Sequence, residues 1–210
     1  MVMKTPPRKS ARKTIKIPMT ELRYSWIYDE MNKQRFTDPL YPSPGKIMEY
    51  IERVAPMWKR REKTLLRAIS RITGLPWGDE RIIVYVVGRA IPFSDPLTIP
   101  IYEGHDDYFI DTLVHELIHQ NLSQAGNEKR KKAYWDGLLE RYREEGREVS
   151  VHIPVYAIHK EIYLRYFGEE NLAGDITLMS KVPSHRRAWE IVNELGHDKI
   201  IEQFRRGRWD

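Results

Sequence analysis

The chain has 210 residues, 41% of them hydrophobic and 31% charged, with a formal net charge of +5, proportions that fit a folded protein with a sizeable core. No apolar run is long enough to cross a bilayer, and the basic opening "MVMKTPPRKSARKTIKIP" lacks the apolar centre of a secretory signal, so no membrane span is expected and a cytoplasmic location follows by default. With no cysteine, disulfides and thiolate zinc sites are excluded, and any metal must be held by His, Asp or Glu.

Residues 1–16 carry six Lys or Arg and no acid, and 1–20 reads as a flexible basic arm. The rest, 21–210, reads as a single domain. "ELRYSWIYDEMNKQRF" suggests a short helix, followed by the turn-rich "TDPLYPSPG". From Lys46 to about Ile72, apolar residues recur at helical spacing, with Pro56 expected to kink or split the run and Gly74 with Pro76 to close it. "RIIVYVVG" (81–88) is a buried strand by its β-branched run, expected at the sheet centre. "LTIPIYE" (97–103) is a second strand, which Pro100 assigns to an edge or a bulge.

"GHDDYFIDTLVHELIHQNLSQAG" follows as a helix, with Asp106 or Asp107 placed to cap it and Gly126 beyond its end. "KKAYWDGLLERYREE" is another helix, and "VSVHIPVYAIHKEIYLRYFG" a long one with Pro154 in its first turn. "PSHRRAWEIVNELGHDKIIEQFRRG" gives two short helices divided by Gly196. Helices, a small sheet, then helices again make the fold class α+β.

The chemistry centres on "DTLVHELIHQ", 111–120. Residues four apart lie on one helix face, so His115 and His119 can present two imidazoles to one ion. Glu116, about 100° round, can act as general base on a metal-activated water without ligating. Zinc is the expected cofactor. The uncharged flanks Leu113, Val114, Leu117 and Ile118 argue against a pair of ordinary surface histidines. Asp111, one turn before His115, is placed either to orient its ring or to face solvent.

"TLVHELIHQN" resembles the extended zincin pattern, from which Asn121 departs because a hydrophobic residue is usual there. The order of elements resembles the minigluzincins, compact metallopeptidases of the gluzincin type, over a core of about 81–167. The helical extensions 21–80 and 168–210 lie outside the likeness. It implies a small, mainly antiparallel sheet, an active-site helix and a later helix supplying a glutamate ligand. It also implies terminal segments able to occupy the cleft and keep the enzyme latent. The activity implied is zinc-dependent hydrolysis of peptides or unfolded protein, with Thr98, Ile99, Pro100, Ile101 and Tyr102 as a substrate-binding edge strand.

Three protein ligands plus water are usual for such zinc. In the long helix, Glu161 falls on the apolar arc of Val151, Val155, Ile158 and Ile162, where an unpaired carboxylate is costly. The resemblance also asks for a glutamate in this helix, so Glu161 is the first choice for the third ligand, ahead of His159 and His152. His152, Tyr156, His159, Tyr163 and Tyr166 form a second stripe, readable as a packing seam. His152 or Tyr156 could also donate to the oxyanion, a role that a gluzincin assigns to a Tyr or His near the metal. His105, His185 and His197 read as surface histidines.

Two other functions compete. One is a catalytically silent zincin scaffold that binds partners through its aromatic-rich surface. The other is nucleic-acid binding by the clusters "KRREK" and "KRKK", disfavoured because acids are mixed through most of the chain. Oligomeric state is left open.

Overall fold

The computed structural model describes residues 16–209 apart from 37 and 125. The basic stretch 1–15, most of the expected arm, lies outside the described residues. In chain order the elements are β1 (Met19–Arg23), α1 (Trp26–Lys33), α2 (Pro44–Thr73), β2 (Arg81–Val87), β3 (Phe93–Ser94) and β4 (Leu97–Pro100). They continue with α3 (Asp106–Ser123), α4 (Asn127–Arg130), α5 (Lys132–Arg141), a 3-10 turn (Arg143–Glu145) and α6 (Arg147–Tyr166). The chain closes with α7 (Glu169–Met179), α8 (Pro183–Leu195) and α9 (His197–Arg206). The class is α+β, with a small sheet flanked by helices on both sides of the sequence.

The sheet has the order β1-β2-β4-β3. β1 and β4 both run parallel to β2, and only β3 against β4 is antiparallel. This corrects the expected mainly antiparallel sheet. The short gap between the two recognised strands holds β3, a two-residue return leg that reverses the chain and lets β4 run parallel to β2. β2 is interior, as expected. β4 is interior too, so Thr98, Ile99 and Pro100 are not an edge. All of Leu97–Pro100 is buried, and Ile101 and Tyr102 follow the strand's end. Pro100 is accommodated at the last strand position, where a missing N–H costs little.

β1 begins inside the stretch assigned to the arm. Thr20 is buried, and both its backbone N–H (2.8 Å) and its hydroxyl (2.6 Å) donate to the Glu62 carboxylate. Burial alone would raise the Glu62 pKa, but Lys59 at 2.7 Å and the Thr20 donors outweigh it and hold it below the usual carboxylate range. The Trp58 indole donates to Thr20 Oγ1 at 2.6 Å. This network fastens the first strand to α2.

α2 runs unbroken through Pro56, contrary to the expected split. Pro56 is on the exposed side, so the Glu52 carbonyl that it cannot satisfy faces solvent. Opposite it, Ile47, Tyr50, Val54, Trp58, Leu65, Leu66, Ile69 and Ile72 form one buried seam that keeps both halves on a single surface. Beneath lie alternate residues of β2, Ile82, Val84 and Val86, and then α3 and α6. α6 begins at Arg147, so Pro154 sits inside the helix rather than in its first turn.

Candidate metal centre

α3 enters the core with Asp106 and Asp107 in its first turn, where negative charge suits the helix dipole, and Arg53 fixes Asp106 at 2.6 Å. His105, not an aspartate, occupies the cap position. α3 and α6 pass each other antiparallel: Asp111 faces Tyr163, His115 faces Tyr156 and His159, and His119 faces His152. The His/Tyr stripe of α6, apart from the exposed Tyr166, is therefore the surface that α3 packs against. It is a packing seam and also the opposite wall of the site.

The Nε2 atoms of His115 and His119 lie 3.2 Å apart. The His152 ring is 5.4 Å from His115 and 4.9 Å from His119, and the three offer ligand atoms within 4.8 Å of one another. Two nitrogens bound tetrahedrally to zinc at ~2.0–2.1 Å would be about 3.3 Å apart, so the pair is already at ligand spacing. His152 Nδ1 is 2.7 Å from the Glu148 carbonyl oxygen. A carbonyl can only accept, so Nδ1 carries the proton and the Nε2 lone pair is left for an ion.

Burial, then the neighbouring histidines, pushes His115 well below the ordinary imidazole range and His119 down to about 3. His152 is lowered to about 4 by burial and His185, against the opposing pull of Glu148. All three are neutral near pH 7, the state that binds metal. Each keeps partial exposure, so solvent can reach the cluster.

Glu116 is only 7% exposed, and burial raises its pKa to about 8. Its charge acts on the hydroxyls of both Tyr102 and Tyr156. Tyr156 is fully buried, with its ring 5.3 Å from His115 and stacked on Trp189 of α8 at 4.4 Å. Its hydroxyl is hydrogen-bonded to His185 Nδ1, and His185 Nε2 lies 3.6 Å from the Glu148 carboxylate. His185 is thus part of the site, its ring 4.4 Å from His152, and is not the surface histidine expected. No local spacing could have revealed it, because its contacts are tertiary.

Glu161 is not with the cluster. It lies nine residues beyond His152, about 900° or half a turn round the helix. There its carboxylate takes Arg165 Nε at 2.5 Å and His197 Nε2 at 3.1 Å. The apolar arc that selected it does not point anywhere in particular, because α6 is buried on nearly all sides. His159 is 2% exposed, with both ring nitrogens unpartnered and its ring 5.6 Å from His115. Asp111 makes no hydrogen bond to His115 among the described residues and faces Tyr163 instead.

Asn121, the departure from the zincin pattern, is fully buried and accepts from Thr73 Oγ1 at 2.9 Å. It ties α3 to the end of α2. The free edge nearest the site belongs to β3, where Gln120 Nε2 donates to the Ser94 carbonyl at 3.4 Å. Among the described residues no helix is long and apolar enough to cross a membrane. In comparisons with known protein families, curated proteins and solved structures, nothing matched.

Proposed function

We propose that the chain is a zinc-dependent peptidase acting on peptides or unfolded protein in the cytoplasm, with His115, His119 and His152 holding the ion. The observation that carries this reading is the convergence of three neutral imidazoles beside a buried carboxylate that has no cationic partner among the described residues. Bound zinc would supply Lewis acidity, acidifying water and polarising the scissile carbonyl. Glu116, its carboxylate favoured by the ion's positive charge against the burial that raises it to about 8, would accept the proton of the attacking water and return it to the leaving amine. Tyr156 would donate its hydroxyl to the oxygen that gains negative charge. For that donation Tyr156 must accept from His185 Nδ1–H, which, since burial lowers the His185 pKa against the pull of Glu148, requires the Nδ1–H tautomer of a neutral ring.

The likeness to the zincins then rests on the His-Glu-x-x-His helix, and the gluzincin glutamate has no counterpart in Glu161. A second reading, a scaffold that binds without cleaving, is favoured by the engagement of Tyr156 with His185 and Trp189 of α8. Incubating zinc-loaded and chelator-treated protein with an unfolded protein substrate distinguishes the two. Cleavage only with zinc supports the peptidase, and zinc retained without any cleavage supports the silent scaffold. Nucleic-acid binding stays disfavoured, and a lack of affinity for random duplex at low salt would remove it.

A further inference from the structure

The cluster "KRREK" belongs to a feature that the proposed peptidase does not use. Arg60, Lys63, Arg67 and Arg71 stand three or four residues apart on α2, so they share one face, opposite the buried seam. All four are exposed. At 1.5 Å per residue the row is about 16 Å long. Past the helix end at Gly74, the exposed Arg205 of α9 continues it: Arg205 Nε is 3.9 Å from where a Cβ on Gly74 would lie. Lys131 Nζ donates to the Arg205 carbonyl at 2.8 Å and adds a further cation.

The row differs from the other charged helix faces of this protein. Lys33, Lys132, Arg165 and Arg206 each meet an acid three or four residues away. That is how a solvated helix face manages its charge, since like charges four apart repel. Among the described residues no acid pairs with Arg60, Lys63, Arg67, Arg71 or Arg205. The acid nearest in sequence, Glu62, is buried on the other face and engaged by Thr20 and Lys59. Overall charge does not explain the row. Residues 1–15 hold five Lys or Arg and no acid, equal to the whole net charge of +5, so 16–210 are neutral taken together. The row is a local segregation of positive charge.

We propose that this row docks an acidic α-helix of a partner protein. A second helix laid alongside rises by the same 1.5 Å per residue, so carboxylates at steps of three and four residues meet the row cation for cation. Phosphates follow one another at ~3.4 Å along each strand of a duplex, out of step with cations ~4.5–6 Å apart along the axis. The row itself carries no aromatic ring on which a single-stranded base could stack. This surface does not depend on the chain being a peptidase.

The test uses full-length, zinc-loaded protein and a labelled, stapled alanine-rich helix with Glu at steps of three, four and four residues, read by fluorescence anisotropy. Its controls are the same peptide with Gln for Glu and a random-sequence duplex. The acidic helix should bind at ~20 mM NaCl and be released at ~0.5 M, where exposed charges are screened. It should bind at least tenfold tighter than either control. Lys63→Glu combined with Arg67→Glu should weaken that binding at least tenfold with zinc content unchanged. The basic stretch 1–15 is the same in both proteins, so the difference isolates the row. No binding of the acidic helix, or binding no tighter than that of the Gln peptide, would overturn the proposal. Tighter binding of the duplex would also overturn it and assign the row to nucleic acid, and a double variant that binds like the wild type would remove the row altogether.

Discussion

Changing His152 and Glu161 separately to alanine distinguishes the two candidates for the third ligand. Four-ligand zinc sites hold the ion with about 10–16 kcal/mol, so one imidazole contributes about 2.5–4 kcal/mol. His152→Ala should therefore weaken zinc binding by roughly two to three orders of magnitude. Glu161→Ala removes only contacts with Arg165 and His197, in a pocket where the carboxylate side chain retains 19% exposure. It should cost about 1 kcal/mol of stability or less and leave zinc affinity unchanged. Competition against a chromophoric zinc chelator, with the metal content of each variant measured in parallel, reads both effects. Tight zinc in His152→Ala, or its loss in Glu161→Ala, would refute the assignment and restore the glutamate ligand.

Tyr156→Phe should keep zinc yet lower turnover about 10²–10³-fold, the usual cost of one oxyanion donor; unchanged turnover would remove Tyr156 from the reaction. Asn121→Leu, which restores the usual zincin residue, should destabilise the fold by about 0.5–1.5 kcal/mol, because it removes the buried amide's bonds to Thr73 Oγ1 and the Pro76 carbonyl while Thr73 keeps the Ile69 carbonyl as acceptor. Denaturant melts check this, and a stabilised variant would contradict it. Metal-free protein should lose stability as the pH falls from 6.5 to 4.5. Burial keeps His159 and His119 near 3 and His152 near 4, and also depresses His115 and His185. Groups with depressed folded pKa values stabilise above the unfolded value of about 6.5, and that contribution is lost as the pH falls, when the unfolded chain gains protons that the folded chain refuses. Glu116, Asp111 and Asp175, raised to about 8, about 6 and about 7, act in the opposite sense but are outnumbered by the five histidines. A flat or rising denaturation midpoint on acidification would contradict this balance.

His115, Glu116 and His119 were legible because a helix fixes their relation locally. His152 and Tyr156 were visible as members of a stripe, but only the antiparallel passage of α3 could say that the stripe faced His115 and His119. Glu161 misled because hydrophobic periodicity indicates a direction only when a helix has a wet side, and α6 has almost none. β1 escaped notice since Met19, Glu21 and Arg23 look like surface residues, and its anchor, Glu62, lies some forty residues away. β3 is too short to have a period, and it changes β4 from an edge strand to an interior one. α7 is missing from the sequence reading because "EENLAGDITLM" buries little beyond Leu172.

The most direct test of the whole mechanism is Glu116→Gln in zinc-loaded protein, measuring bound zinc and cleavage of an unfolded substrate on the same sample. Glutamine is nearly isosteric but cannot take the proton from water. Zinc should stay at one per chain while cleavage falls by about two to four orders of magnitude, the usual weight of a general base. Cleavage at the wild-type rate would contradict the mechanism, and loss of zinc would make Glu116 a ligand instead of a base.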